Sequence, residues 1–316
     1  MLRLPPSDRT VLALLALAMG VAAVRVPFTS LFWIQAAMLL MFAAGVALLV
    51  HCDRRGWVPF VRSALTVGVI FTCYTTLGWL GAASMPYSAD AALSAVDNWL
   101  FRVDPSLALE PYLTPSRIEF FSFAYGAFIP YINVTIALNC LGRPPLEREQ
   151  FLTGWVFLYS LSYLGYLFVP AQGPIAFHAA DYRVALEGGV FYDFVQRGVE
   201  ASGGLQGVFP SLHVGGSLYL CLFELRVNRL RGLIYLPLVL AIYAATLVLR
   251  YHYVIDLIAG TMLVWGCLPL GRRAVDGWVR RRQATDWPAL PGGETDALLA
   301  DSAPGAGYPE SVLSTD

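Results

Sequence analysis

The 316-residue chain contains no lysine: each of its 21 basic residues is arginine. That excludes Schiff-base chemistry and a lysine phosphate clamp of the P-loop kind, so any cation held against a phosphate must be a guanidinium. Cysteine is sparse, with five singletons at 52, 73, 140, 221 and 267. An odd count without a Cys-x-x-Cys pair indicates neither a disulfide framework nor a zinc site. Histidine occurs four times, at 51, 178, 213 and 252, with no His-Glu-x-x-His and no acid-rich cage, so chemistry without metal or cofactor is expected. Charge is scarce too: charged residues make up 14% of the chain against 57% hydrophobic, and the mean hydropathy is +0.59. Such a chain is too apolar for an ordinary soluble domain. The net charge of −1 hides arginines in short loops and acids gathered in the tail, and nucleic acid is not an expected partner.

What is present is a series of long apolar runs. They predict an all-α, polytopic transmembrane helical bundle of about eight spans, at 11–24, 31–50, 60–83, 120–140, 151–169, 208–225, 233–249 and 253–270. The first run follows Arg3 and Arg9 as a signal peptide would, but no small-residue cleavage site follows, and it reads as retained. Residues 86–115 mix acids, aromatics and proline, with Trp99 and Phe101 beside Asp97, Arg102 and Asp104, which suits a segment lying at the membrane interface. The longest loop of the membrane part, 171–207, is rich in glycine and leads into the most polar stretch of the apolar region, so it is placed to cover a site or shape an acceptor pocket. His178 within it reads as a solvated loop residue. Beyond Arg282 there is no basic residue and apolar periodicity is lost, which predicts a disordered acidic tail. The chain thus divides into 1–115, N-terminal helices with the interfacial segment; 116–282, a catalytic helical bundle; and 283–316, the tail. With both termini inside, alternate segments hold 15 arginines on the inner side and six on the outer, the bias expected of a cytoplasmic inner face in a bacterial inner membrane.

The chemistry-bearing stretch runs from Gly207 to Gly260. It opens as G-V-F-P-S-L-H-V-G-G and closes as R-Y-H-Y-V-I-D-L-I-A-G, with an apolar hairpin between that returns His213 and His252 to one end of neighbouring helices. His252 and Asp256 are four apart, which on a helix stacks them on one face, where a carboxylate fixes the imidazole tautomer and stabilises imidazolium. His213 follows Pro210 and Ser211, residue types that suit a helix start, where free N–H groups and the positive dipole end favour an anion. Either histidine alone also fits a satisfied core residue. Together with Arg250, the set suits a phosphoester near the outer face.

These residues carry a resemblance. P-S-L-H at 210–213 and H-Y-V-I-D at 252–256 resemble the second and third motifs of the type 2 phosphatidic acid phosphatase superfamily, most of all its inositol phosphorylceramide synthase-like branch, whose bacterial members carry F-P-S-L-H-V and R-Y-H-Y. Weaker likeness extends to F-V-P-A-Q-G-P at 168–174, which puts Gly173 and Pro174 near the substrate, and to D-P-S at 104–106. The superfamily's first motif, a lysine followed by Arg-Pro, is not recognisable, and Ala245-Thr246 stand where its third usually has Ser-Arg. The resemblance implies a phosphohistidine mechanism with His252 as nucleophile, supported by Asp256. His213 is then the leaving-group acid, and Arg250 and Ser211 the phosphate ligands. It further implies transfer of a phosphorylated head group from a phospholipid donor to a lipid alcohol, with no metal. A lipid phosphatase that uses water as acceptor fits the same histidines. A proton-coupled transporter, which would also place ionisable groups in a bundle, predicts them near mid-membrane rather than at helix starts.

Overall fold

The computed structural model describes residues 4–51, 57–201 and 207–283. The tail expected to be disordered lies outside the described residues, apart from its first residue, Gln283. Among the described residues there are 13 α-helices and no strand: α1 (Pro6–Arg25), α2 (Ser30–His51), α3 (Val58–Ser84), α4 (Asp90–Phe101), α5 (Pro105–Ala108), α6 (Pro115–Gly126), α7 (Phe128–Gly142), α8 (Pro145–Phe168), α9 (Pro174–Phe177), α10 (Val190–Ala201), α11 (Leu212–Val227), α12 (Arg229–Val248) and α13 (Val254–Gln283). The chain is an all-α polytopic helical bundle, and seven candidate spans are long and apolar enough to cross a membrane, with α6 and α7 forming one of them. The eighth expected span is α11, whose 16 residues rise about 24 Å. It starts four residues later than the apolar run suggests, because Phe209 to Ser211 form a turn and the Ser211 hydroxyl caps the helix through the Val214 N–H at 3.4 Å.

Proline sets several of these boundaries. It occupies the first turn of α1, α3, α6 and α8, where a missing N–H costs nothing. Pro130 cannot donate to the Gly126 carbonyl, and the 120–140 run breaks there into α6 and α7 at Ala127. The central helix is α8: 72% of its apolar window is buried, against 44% or less in the other candidate spans. It carries Trp155, Tyr159, Tyr163 and Tyr166 into the core, where α13, α3, α1 and α11 pack on it. The α8–α13 crossing is close because Gly154 meets Gly271; a methyl group on Gly271 would overlap the Gly154 backbone. At the end of α11 away from His213, the fully buried Glu224 is satisfied by Asn139 (2.6 Å), Arg143 (3.0 Å) and Arg231 (3.2 Å). Arg62 with Glu149 ties α3 to α8 at the N-terminal ends of those two helices.

Two segments are more ordered than their sequence implies. Residues 86–115 form α4, α5 and a 3-10 turn at Glu110–Tyr112, and their acids turn inward on the neighbouring loops. The 171–207 loop contains α9 and the amphipathic α10, which packs Val195 on α6 and leaves Val190, Phe191 and Phe194 exposed.

A candidate active site at two helix N-termini

The site grows from the turn between α12 and α13. Helix α12 closes with a Schellman pattern: the Tyr251 N–H bonds the Thr246 carbonyl (3.0 Å) and the Arg250 N–H bonds that of Leu247 (3.0 Å). That pattern requires a left-handed residue after the C-cap, and Arg250 supplies it at φ 63° where glycine is usual. The turn delivers His252 just ahead of α13 rather than on it. The expected helical stacking of His252 on Asp256 is therefore corrected: the helix begins at Val254, and Asp256 reaches back from its first turn. The outcome is the contact that the spacing suggested, by another route. Asp256 Oδ2 accepts from the Tyr253 N–H at 2.9 Å and lies 3.3 Å from His252 Nδ1.

Helix α11 meets this turn head-on. The Ser211 N–H donates to the Asp256 carbonyl at 3.1 Å, and the approach is allowed by Gly260, where a Cβ would sit 2.6 Å from the Ser211 carbonyl oxygen. The two imidazoles are thereby brought together, with ring centroids 6.1 Å apart. His213 stacks on Tyr125 (4.2 Å), packs against Phe128 (4.6 Å), and has its Nδ1 3.4 Å from the Tyr125 hydroxyl. Both motif histidines stand at the N-terminal ends of α11 and α13, where the positive end of the helix dipole favours an anion.

Around this pair the acids of residues 90–110 act as clamps. Asp97 Oδ2 and Oδ1 accept from the N–H groups of Val254 (2.6 Å) and Ile255 (2.9 Å), capping α13 from another helix. Burial pushes the Asp97 carboxyl up from its usual range, and these two N–H donors oppose that shift. Asp90 accepts from the N–H groups of Gln172 (2.9 Å) and Gly173 (2.8 Å) and from the Tyr253 hydroxyl (3.0 Å). Glu110 accepts from the N–H groups of Arg183 (3.0 Å) and Val184 (3.1 Å) and pairs with Arg250 at 2.9 Å. Sequence reasoning missed these acids as site residues. Their partners lie 73 to 163 positions away, and only the D-P-S at 104–106 carried a local signal; there Asp104 caps α5 through the Ser106 N–H.

The other expected residues fall as follows. Gly173 has φ 85°, and a Cβ on it would lie 2.6 Å from the Tyr251 carbonyl oxygen; Pro174 starts α9, and the next N–H, of Ile175, donates to the Arg250 carbonyl at 2.8 Å. The G-P pair is thus laced to the residues just before His252. Arg250 is buried, with one terminal nitrogen shared by Glu110 and the Val184 carbonyl (2.9 Å each) and its guanidinium over the Tyr182 ring at 3.7 Å. Its Nε has no hydrogen-bond partner among the described residues. His178 is not solvated: it is held between Asp104 at Nε2 and Asp181 at Nδ1, both 2.9 Å away, because α9 folds back on α4. Tyr125, the group against His213, was not anticipated; one aromatic in an apolar run carries no signal of its role.

Beside His213 opens a cavity of about 450 Å³. Its inner wall holds Tyr159, Tyr163 and Leu212, and its mouth lies between Ile129 and Asn133 of α7 and Phe194 and Gly198 of α10.

Paired histidines at two helix starts, one backed by a carboxylate, make up the candidate site at one end of a membrane helical bundle. The chain matches the PAP2 superfamily over residues 91–270, more than half its length, and belongs to that superfamily. It is 29% identical over 127 residues to a PA-phosphatase related-family protein of Dictyostelium discoideum; the match covers 39% of this chain and 23% of that protein. The chain therefore spans under a quarter of the length of that relative. No solved structure matches it. Members of the superfamily are phosphatases and phosphotransferases, which supports an enzyme acting on phosphoesters, and its apolar helices make this one an integral membrane protein.

Proposed function

We propose that this protein is a lipid phosphotransferase that works through a phosphohistidine, moving a phosphorylated head group from a phospholipid to a lipid alcohol at the outer face of the membrane. The observation that carries the reading is the His213–His252 pair, 6.1 Å apart, with Asp256 at 3.3 Å from one member only. The Asp256 carboxylate accepts a hydrogen bond from the His252 Nδ1–H, which leaves the lone pair on Nε2 for attack at phosphorus and stabilises the cation that results. As the N–P bond forms, the P–O bond to the leaving group breaks, and His213, which has no carboxylate partner among the described residues, protonates the departing alkoxide. His213 then takes the proton of the incoming alcohol or water, which attacks the phosphohistidine and frees His252.

Arg250 supplies the cation. Its unpartnered Nε is a spare donor, and with the N–H groups at the head of α11 it fits the charge of a transferring phosphoryl group. The resemblance of F-P-S-L-H-V and R-Y-H-Y to the inositol phosphorylceramide synthase-like branch favours transfer over hydrolysis. Water as acceptor is the second reading. Incubating the purified protein with labelled phospholipids and a ceramide or diacylglycerol acceptor separates the two: a new phospholipid product supports transfer, and free phosphate or a free phosphorylated head group alone supports hydrolysis. The side on which the site lies rests on the 15-to-six arginine split.

A further inference from the structure

The cavity beside His213 is walled mostly by aromatic and aliphatic side chains, and its exposed lining residues lie on α7 and α10. The mouth residues are exposed on α7, which is part of a membrane-spanning run, and on the apolar side of α10: Ile129 is 55% exposed and Phe194 is 63% exposed. An opening on the flank of a span is reached from hydrocarbon, not from solution. Its volume is in the range of small-molecule pockets, and His213 stands on its lining. We propose that this cavity takes one hydrocarbon chain of a lipid substrate, entering sideways between α7 and α10, and that Gly198 sets how much chain it admits. The inference deepens the proposed function and rests on it for the identity of the substrate.

Gly198 is singled out by what surrounds it. A Cβ there meets nothing within 4 Å, so a larger side chain projects into open space at the mouth without displacing the backbone, and the residue sits in helix α10 at negative φ. At Gly126, across the mouth, a Cβ would already touch Val195 and Phe194 at 3.6 and 3.7 Å. Bulk at 198 therefore narrows the entrance while α10 keeps its packing on α6.

The test uses the full-length protein in phospholipid nanodiscs with a phosphatidic acid carrying a diazirine at the end of one long acyl chain. On illumination, adducts are expected on the inner wall, at Tyr159, Tyr163 or Tyr74, and Gly198→Trp is expected to cut them by about tenfold. Adducts confined to the lipid-facing sides of α1 and α2, or an unchanged inner-wall yield in Gly198→Trp, overturn the proposal. The adduct map is read whether or not phosphate is turned over, so failure of the chemistry and failure of the chain site are told apart. In parallel, the ratio of turnover on dioleoyl over dibutyryl phosphatidic acid should fall about tenfold in Gly198→Trp; an unchanged ratio counts against the site.

Discussion

Asp97 is the sharpest lever on the proposed nucleophile that does not touch it. Its two carboxylate oxygens hold the N–H groups of Val254 and Ile255 at 2.6 and 2.9 Å, and His252 is two residues upstream of the first. Asp97→Ala leaves both donors without a partner in a buried turn. Losing a helix cap costs about 1 kcal/mol and a hydrogen bond to a charged group about 1.5–3 kcal/mol. Taking about 2 kcal/mol as the share that must be recovered each time His252 is brought in line, turnover falls roughly thirtyfold. The loss belongs in kcat, with KM little changed, because the substrate touches His252 and not Asp97. The assay is release of product from dibutyryl phosphatidic acid by purified protein, with thermal unfolding followed alongside. An Asp97→Ala protein that keeps its fold and its full kcat refutes the reasoning.

Other outcomes follow from the same geometry. Arg250→Gln removes the guanidinium and should lower kcat by about a hundredfold or more, the usual cost of losing a transition-state donor; full turnover would make Arg250 only a strut for Glu110. Activity should survive thorough chelation, and loss on EDTA with recovery on magnesium or zinc would contradict a metal-free phosphohistidine route. For orientation, a cysteine placed at Ser202 should react with a membrane-impermeant thiol reagent in intact cells, whereas labelling of a cysteine at Ser311 instead would invert the topology.

Much of the frame was legible because it depends on local composition. Eight apolar runs each contain a helix or helix pair, and the break at Ala127 follows from Pro130, which was in plain view. The meeting of His213 with His252 was legible as well, since a hairpin of two apolar helices returns both to one end. The way Asp256 reaches His252 was not. Four-residue spacing reads as a helix face, but the Schellman turn at Arg250 puts the histidine before the helix, a choice made by a left-handed residue that sequence pattern does not mark. The least legible layer is the acidic clamp. Asp90, Asp97 and Glu110 look like interfacial charges in a proline-rich segment, and most of their partners are backbone N–H groups with no side-chain identity to recognise. His178 read as solvated because Asp104, one of the two carboxylates that enclose it, comes from a distant segment.

The central claim is that His252 carries the phosphoryl group and His213 moves the proton. It is tested most directly by quenching a reaction with radiolabelled p-nitrophenyl phosphate in alkali, digesting the protein and mapping the labelled peptide. The leaving p-nitrophenolate needs no protonation, so His213→Ala should still form the intermediate, and the label should sit on the peptide containing His252 as alkali-stable, acid-labile phosphohistidine. Label on His213 in the unmodified protein, or covalent phosphate persisting in His252→Ala, would contradict the account.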